Sequence, residues 1–261
     1  MRTVLAAGVM IAFIASPIAG GVALGAAAIG IGALRIRLGR KARWAIGENA
    51  RGQAALARGR FDEAGVIFEN LVRDTEAWLP AMAAIACHNL AWTAMRQGNM
   101  IRALELLKAN ETAHLKELTA LALSVTSALD LAINHALLGE LDAAARSLRD
   151  SETRARGQAS ANVSMAIFAH ALVDCRAGRA DDAAKLLDER WAECEAVTKG
   201  SELRPLRVMR AFAIASSGPR DAGQADAILA PAKPLAYRGE YAFLGSSWPE
   251  MAAFLAAHDL A

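Results

Sequence analysis

A glycine-centred turn recurs along this 261-residue chain and constrains its fold more than any other feature. Its copies are Gly59-Arg60-Phe61-Asp62-Glu63-Ala64, Gly98-Asn99-Met100-Ile101-Arg102-Ala103, Gly139-Glu140-Leu141-Asp142-Ala143-Ala144 and Gly178-Arg179-Ala180-Asp181-Asp182-Ala183. A degenerate fifth, Gly218-Pro219-Arg220-Asp221-Ala222, follows, and the glycine spacings are 39, 41, 39 and 40. Each position has a physical rationale. Glycine adopts the left-handed conformation that ends a helix. The third residue packs into the corner. Asp62, Asp142 and Asp181 suit a helix start, by capping or through the helix dipole. The sixth residue is alanine, where two helices must approach closely. Four residues later, Phe68, Leu107, Leu148 and Leu187 keep the same face apolar.

Composition supports closely packed helices. Alanine makes up 62 residues, aromatics are 5%, and no proline stands between Pro80 and Pro205. These features argue against a β-sandwich or barrel. High apolar content with modest charge argues against disorder. Expected helices span 4–33, 41–58, 62–73, 79–97, 101–112, 115–138, 142–156, 160–177, 181–199, 202–216, 221–230 and 248–258. Leu235–Gly245 reads as an irregular connection, and Ser247-Trp248-Pro249-Glu250 as a capping box for a final helix. That helix, with Trp248 and Phe254, would cover the exposed end of a stack of repeats.

The repeat resembles the tetratricopeptide-repeat (TPR) family over Trp44 to Ala230. In that family Gly or Ala stands seven residues before the turn glycine, as Gly52, Ala91, Ala132 and Ala171 do here. Leu90 and Leu131 match the usual preceding leucine, whereas Arg51 and His170 do not. The family's large aromatic is replaced by Ala55, Ala94, His135 and Asp174, and its terminal proline is missing. The period of about 40 exceeds the family's 34, so longer helices are expected. The resemblance implies an all-α fold, a right-handed TPR-like solenoid, here behind an N-terminal transmembrane helix.

It also implies a partner-binding concave face made by the first helix of each repeat. Counting back from the turn glycines puts Asn49, Gln53 and Leu56 there from the first repeat, and His88, Asn89, Trp92, Met95 and Arg96 from the second. The third gives Leu129, Asp130, Ile133 and Leu137, and the fourth Met165, Phe168, Leu172 and Arg176. The alternative is that this stripe is partly core. Some family members grip a peptide's terminal carboxylate with Lys, Arg and Asn. Asn89 stands at one such position, but Asn49, Gln53, Thr126 and Asp130 occupy others, and Asp130 would repel a carboxylate. That activity is not expected.

Residues 3–34 carry no charge and are long enough for a membrane span. Met1-Arg2 followed by Val4–Ala15 also fits a signal peptide, but the apolar run continues and lacks a well-placed cleavage site. Arg35, Arg37, Arg40, Lys41 and Arg43 follow directly, so the positive-inside bias puts the C-terminal domain in the cytoplasm. These five cations would face anionic lipid, or serve only as a solvated stop-transfer flank. Gly21-x-x-x-Gly25 would let two anchors pair as a homodimer. The expected organisation is an anchor and basic flank at 1–43, repeats at 44–230 and a connection with capping helix at 231–261.

From Trp44 onward the balance is 23 basic to 27 acidic residues, which argues against nucleic acid. Cys87, Cys175 and Cys194 form neither a disulfide framework nor a zinc pattern and read as reduced thiols. No phosphate loop, H-E-x-x-H, G-x-S-x-G or kinase set is present. His88, His114, His135, His170 and His258 have no ligand spacing. No metal, cofactor or enzymatic activity is expected. The function read from the sequence is a membrane-anchored adaptor that binds an unidentified protein or peptide in its groove. A small-molecule or lipid-binding helical module is the alternative, and an enzyme with an unrecognised site is the third reading.

Overall fold

The computed structural model describes residues 39–115, 122–156, 162–198, 203–218 and 222–261. The chain divides into two compact units, Met1–Gly47 and Glu48–Ala261. In the first, residues 39–47 are helical, with Arg40, Lys41 and Arg43 exposed.

The second unit begins with α1 (48–57) and continues with α2 (Phe61–Thr75), α3 (Pro80–Arg96) and α4 (Met100–Asn110). A single π-helical turn at Glu111–Leu115 precedes α5 (Ala122–Leu138), α6 (Leu141–Ala155), α7 (Val163–Arg176) and α8 (Ala180–Val197). Then come α9 (Leu203–Ser216), α10 (Ala222–Leu229), a 3-10 turn at Ala230–Ala232, the one-turn α11 (Ala242–Gly245) and α12 (Pro249–Ala257). The described residues contain no strand.

The turns are built as their sequence requires. Gly59, Gly98, Gly139 and Gly178 have φ of 71°, 81°, 80° and 76°. In each, the N–H after the glycine bonds back to the fifth carbonyl before it, at 3.0 Å (Arg60 to Ala55), 2.9 Å (Asn99 to Ala94), 2.8 Å (Glu140 to His135) and 2.8 Å (Arg179 to Asp174). This is the Schellman closure, which satisfies a carbonyl that the ending helix would orphan. Ala64, Ala103, Ala144 and Ala183 are wholly buried, and so are Phe68 and Leu187. The helix pairs stack in order: α3 packs on α5, α5 on α7, and α7 on α9. Contact with the next repeat only is what makes such a stack quasi-one-dimensional.

Helix starts follow the dipole arm of the expectation more than the capping arm. Asn99 is a side-chain cap, accepting from Arg102 N–H at 3.1 Å. Asp62, Asp142 and Asp181 lie inside the first turn instead, where they face the positive end of the helix dipole. Ser247 does not cap the final helix. Trp248 holds that position without a side-chain bond, and Pro249 presets the first turn.

The expectation of a single-pass membrane protein with a cytoplasmic domain is corrected. Among the described residues no helix is long and apolar enough to cross a membrane. Even α8, at 18 residues, carries Asp181, Asp182, Lys185, Asp188, Glu189 and Arg190. The segment 3–34 that prompted the expectation lies outside the described residues, as do Arg35, Arg37 and the anchor-mediated homodimer.

Residues 231–261 pack into the same unit as the repeats. Tyr241, Phe243, Leu244, Trp248, Met251, Leu255 and Leu260 join the main core. Phe212 of α9 meets Trp248 and Phe254 edge-on, with ring centroids 4.8 and 5.4 Å away. Edge-to-face aromatic contacts of this kind add about 0.5–1.5 kcal/mol beyond area burial. Cys87, Cys175 and Cys194 are free thiols in the interior, and burial pushes Cys87 up to about 11 and Cys175 to about 12.

Candidate interaction cleft

The inner, first-helix side of the stack encloses a cleft of about 730 Å³. Gln53 and Leu56 reach it from α1, His88, Asn89, Trp92 and Arg96 from α3, and Ile133 from α5. Met165 and Phe168 come from α7, Val197 from the end of α8 and Leu206 from α9. Ala57, Thr126, Asn162, Ser164, Thr198 and Pro205 add to these walls, and Ala236, Tyr237, Glu240 and Phe243 of the return segment complete them.

That segment follows a course that no local pattern announces. After α10 the chain crosses to the first repeat, where Tyr237 stacks edge-on against Phe61 at 5.5 Å. It then retraces the turn side of the repeats. Ser246 lies beside Gly98, and Trp248 beneath the Arg176 guanidinium, 5.2 Å from ring centroid to Cζ. His258 reaches Asp226, 3.0 Å away.

Two arginines fasten the crossing. Arg96 donates from Nη2 to the Tyr237 hydroxyl and to the Glu240 carbonyl at 3.0 Å. Its guanidinium also lies 4.9 Å from the Phe243 ring centroid. Arg204 pairs with the Glu240 carboxylate at 3.0 Å and donates to the carbonyls of Ala232, at 2.9 Å, and Pro234. Glu240 also accepts the Ala236 N–H at 2.7 Å.

Behind the α3 wall, His88 Nδ1 stands 3.0 Å from Asp130 Oδ2. Burial disfavours the charged form of His88, but the Asp130 carboxylate attracts its proton and holds its pKa above the ordinary value. Burial pushes the Asp130 carboxyl up, opposed by His88 and by Trp92, its other polar neighbour.

The nine groove residues singled out from the sequence divide accordingly. Gln53, His88, Asn89, Trp92, Arg96 and Phe168 line one cleft. Asn49 lies behind it, accepting a hydrogen bond from Asn89 at 2.8 Å. Asp130 is interior, because its charge is matched by His88. Arg176 turns to the Ala136 carbonyl, 3.0 Å away, and to Trp248. Met95, Leu129, Leu137 and Leu172 are core. Sequence reasoning missed Tyr237, Glu240 and Phe243. A usable signal was present, since both tyrosines of the chain fall at Tyr237 and Tyr241. Among the described residues no group of three or more His, Cys, Asp or Glu could hold a metal ion.

A tetratricopeptide-repeat family profile matches residues 49–70 and 125–150, which are the α1–α2 and α5–α6 pairs less their outermost residues. No curated protein matches the chain. Two crystal structures of nearly identical TPR-like repeats, from a Podosopora anserina protein described as a kinesin light chain, are similar to it. One is 19% identical over 72% of this chain and 92% of the other, with a TM-score of 0.49. The second is 18% identical over 77% and 95%, with a TM-score of 0.48.

Proposed function

We propose that residues 48–261 form a protein-interaction module whose inner cleft takes a short segment of a partner protein. The observation that carries this is the cleft itself. Four first helices, α1, α3, α5 and α7, converge on one concavity whose walls mix apolar and polar side chains, as recognition of a peptide requires. The tetratricopeptide-repeat match supports the same reading, since such repeats commonly serve protein–protein interaction. Trp92 and Arg96, one helical turn apart on α3, are the side-chain types most enriched among binding hot spots. Residues 231–261 act in this reading as the closing element of the module, narrowing the cleft from its turn side.

The test is selection of peptides from a random display library on the full chain, followed by affinity measurement on Met165→Arg. Met165 is half-buried in the wall, so arginine fills the cleft without entering the main core. Enriched peptides should bind Met165→Arg at least tenfold more weakly while its melting temperature holds. Peptides that bind both forms equally, or no enrichment, would remove the cleft as the interaction site.

A further inference from the structure

We infer that the same cleft binds a free amphipathic carboxylate, an alkyl or aryl acid, with its anionic head at Arg96 and its apolar body among the α5, α7 and α9 side chains. This goes beyond the peptide reading and does not rest on it.

The charge pattern of the wall carries the inference. Three ionic groups line it, His88, Arg96 and Glu240, and two of them are matched by partners standing behind the wall. His88 faces Asp130 at 3.0 Å, and Arg204 faces Glu240 at 3.0 Å. Arg96 is the remainder. Both of its hydrogen bonds run from Nη2 to neutral oxygens, and Nε is buried without a partner. Among the described residues no carboxylate lies within ion-pair distance of it. Two arginines therefore flank one carboxylate at the return segment, which leaves a single positive charge facing the cleft.

The guanidinium is also held ready. Phe243 and Tyr237 lie against it, with ring centroids 4.9 and 5.7 Å away, and its bonds to the return segment fix its plane. A guanidinium already ordered loses less freedom on meeting a carboxylate than a solvated lysine would. Asp130 does not oppose the anion, because it is interior and matched by His88.

The rest of the cavity suits an apolar body. Ile133, Met165, Phe168, Val197 and Leu206 make its far walls. A volume of about 730 Å³ falls within the roughly 300–1,000 Å³ usual for small-molecule sites. The polar side chains in the same wall are partly committed to one another: Asn162 donates to Thr126 at 2.6 Å, and Ser164 bonds Thr198. They favour one charged head over a polyhydroxylated ligand.

The experiment is calorimetric titration of the full chain with laurate and 1-naphthylacetate, using 2-(1-naphthyl)ethanol as the neutral control. Laurate and 1-naphthylacetate should bind, and 1-naphthylacetate at least tenfold more tightly than the alcohol, the scale of one charge-assisted contact. Arg96→Gln should erase that preference, and Arg96→Lys should retain part of it. Gln53→Glu, at an exposed position on the wall, adds a competing negative charge without touching the core. It should weaken naphthylacetate several-fold and leave the alcohol unchanged, which keeps the test decisive if Arg96→Gln does not fold. Equal affinity for acid and alcohol, failure of either acid to bind, or an acid preference that survives Arg96→Gln overturns the inference. Peptide selection is read separately, so either proposal can fail alone.

Discussion

The ring of Tyr237 occupies the space that a side chain on Gly59 would need: a Cβ built there falls 2.6 Å from Tyr237 Cγ. Gly59 also has φ of 71°, so glycine is required twice, once by the backbone and once by the return segment. Gly178 has φ of 76°, but a Cβ there meets nothing within 4 Å. Gly178→Ala should therefore cost only left-handed strain, about 1–2 kcal/mol. Gly59→Ala should cost measurably more, because Tyr237 must also move. In a Tyr237→Ala background the two should converge. Denaturant midpoints of the two parent proteins and the four glycine variants decide it, and equal costs in the native background would mean Tyr237 yields freely.

The buried pair His88 and Asp130 makes a pH prediction. The His88 pKa is raised in the folded state above its ordinary 6.5, burial opposing protonation and the Asp130 carboxylate overcoming it. A raised folded value means the folded chain holds the proton more tightly than the unfolded one. The stabilisation is then complete below about 6.5 and is lost as pH rises through the folded pKa of His88. Stability followed by denaturant titration from pH 6 upward should fall across that window. Asp130→Asn should flatten the slope, since the carboxylate is its cause. A slope unchanged in Asp130→Asn would place its origin elsewhere.

The repeat turns were readable because their physics is local. A helix that stops in the left-handed region needs glycine, and close helix crossing needs alanine, so Gly98 and Ala103 announce themselves within six residues. The inner face was readable to the extent that periodicity shows which residues share a side. Periodicity does not distinguish cleft from core: Leu172 and Phe168 stand on one stripe, yet only Phe168 reaches the cleft. The return segment was not readable, because its partners lie far away in sequence. Arg96 meets Tyr237 across 141 positions, and residues 233–240 carry the proline, glycine and charge of an ordinary linker.

The Arg204–Glu240 pair should behave as the anchor of that segment. The two side chains are 15% and 6% exposed, so neither charge is well solvated once its partner is gone. Breaking such a pair from one side costs about 3–5 kcal/mol. Glu240→Gln should lower stability by roughly that amount, since it leaves Arg204 unmatched. It should also weaken the hold on the Ala236 N–H, which donates to the Glu240 carboxylate at 2.7 Å, because a neutral amide oxygen is the poorer acceptor. Hydrogen exchange at Ala236 should accelerate more than exchange in α5. Uniform acceleration across both would show that Glu240 supports the whole unit rather than the crossing.

Trp92 stands in two environments at once, and substitution separates them. One side of the indole lines the cleft, and the other packs on the main core. Its polar edge is a neighbour of the buried Asp130 carboxylate. Trp92→Ala removes all three relations and should cost about 3 kcal/mol of stability, near the lower end for aromatic truncation because the side chain is only partly buried. Trp92→Phe keeps an aromatic surface in the wall but takes the N–H away from Asp130. It should cost less than Trp92→Ala, since most of the aromatic surface stays in place, while leaving affinity for a selected peptide within a few-fold. Loss of Trp92 also removes an interaction that favours ionised Asp130, so the midpoint of its titration should rise in Trp92→Phe. Melting temperature, peptide affinity and the carboxyl titration followed by NMR give three independent readings on one variant. A Trp92→Phe protein with native stability and an unchanged Asp130 titration would reduce the indole to a packing role.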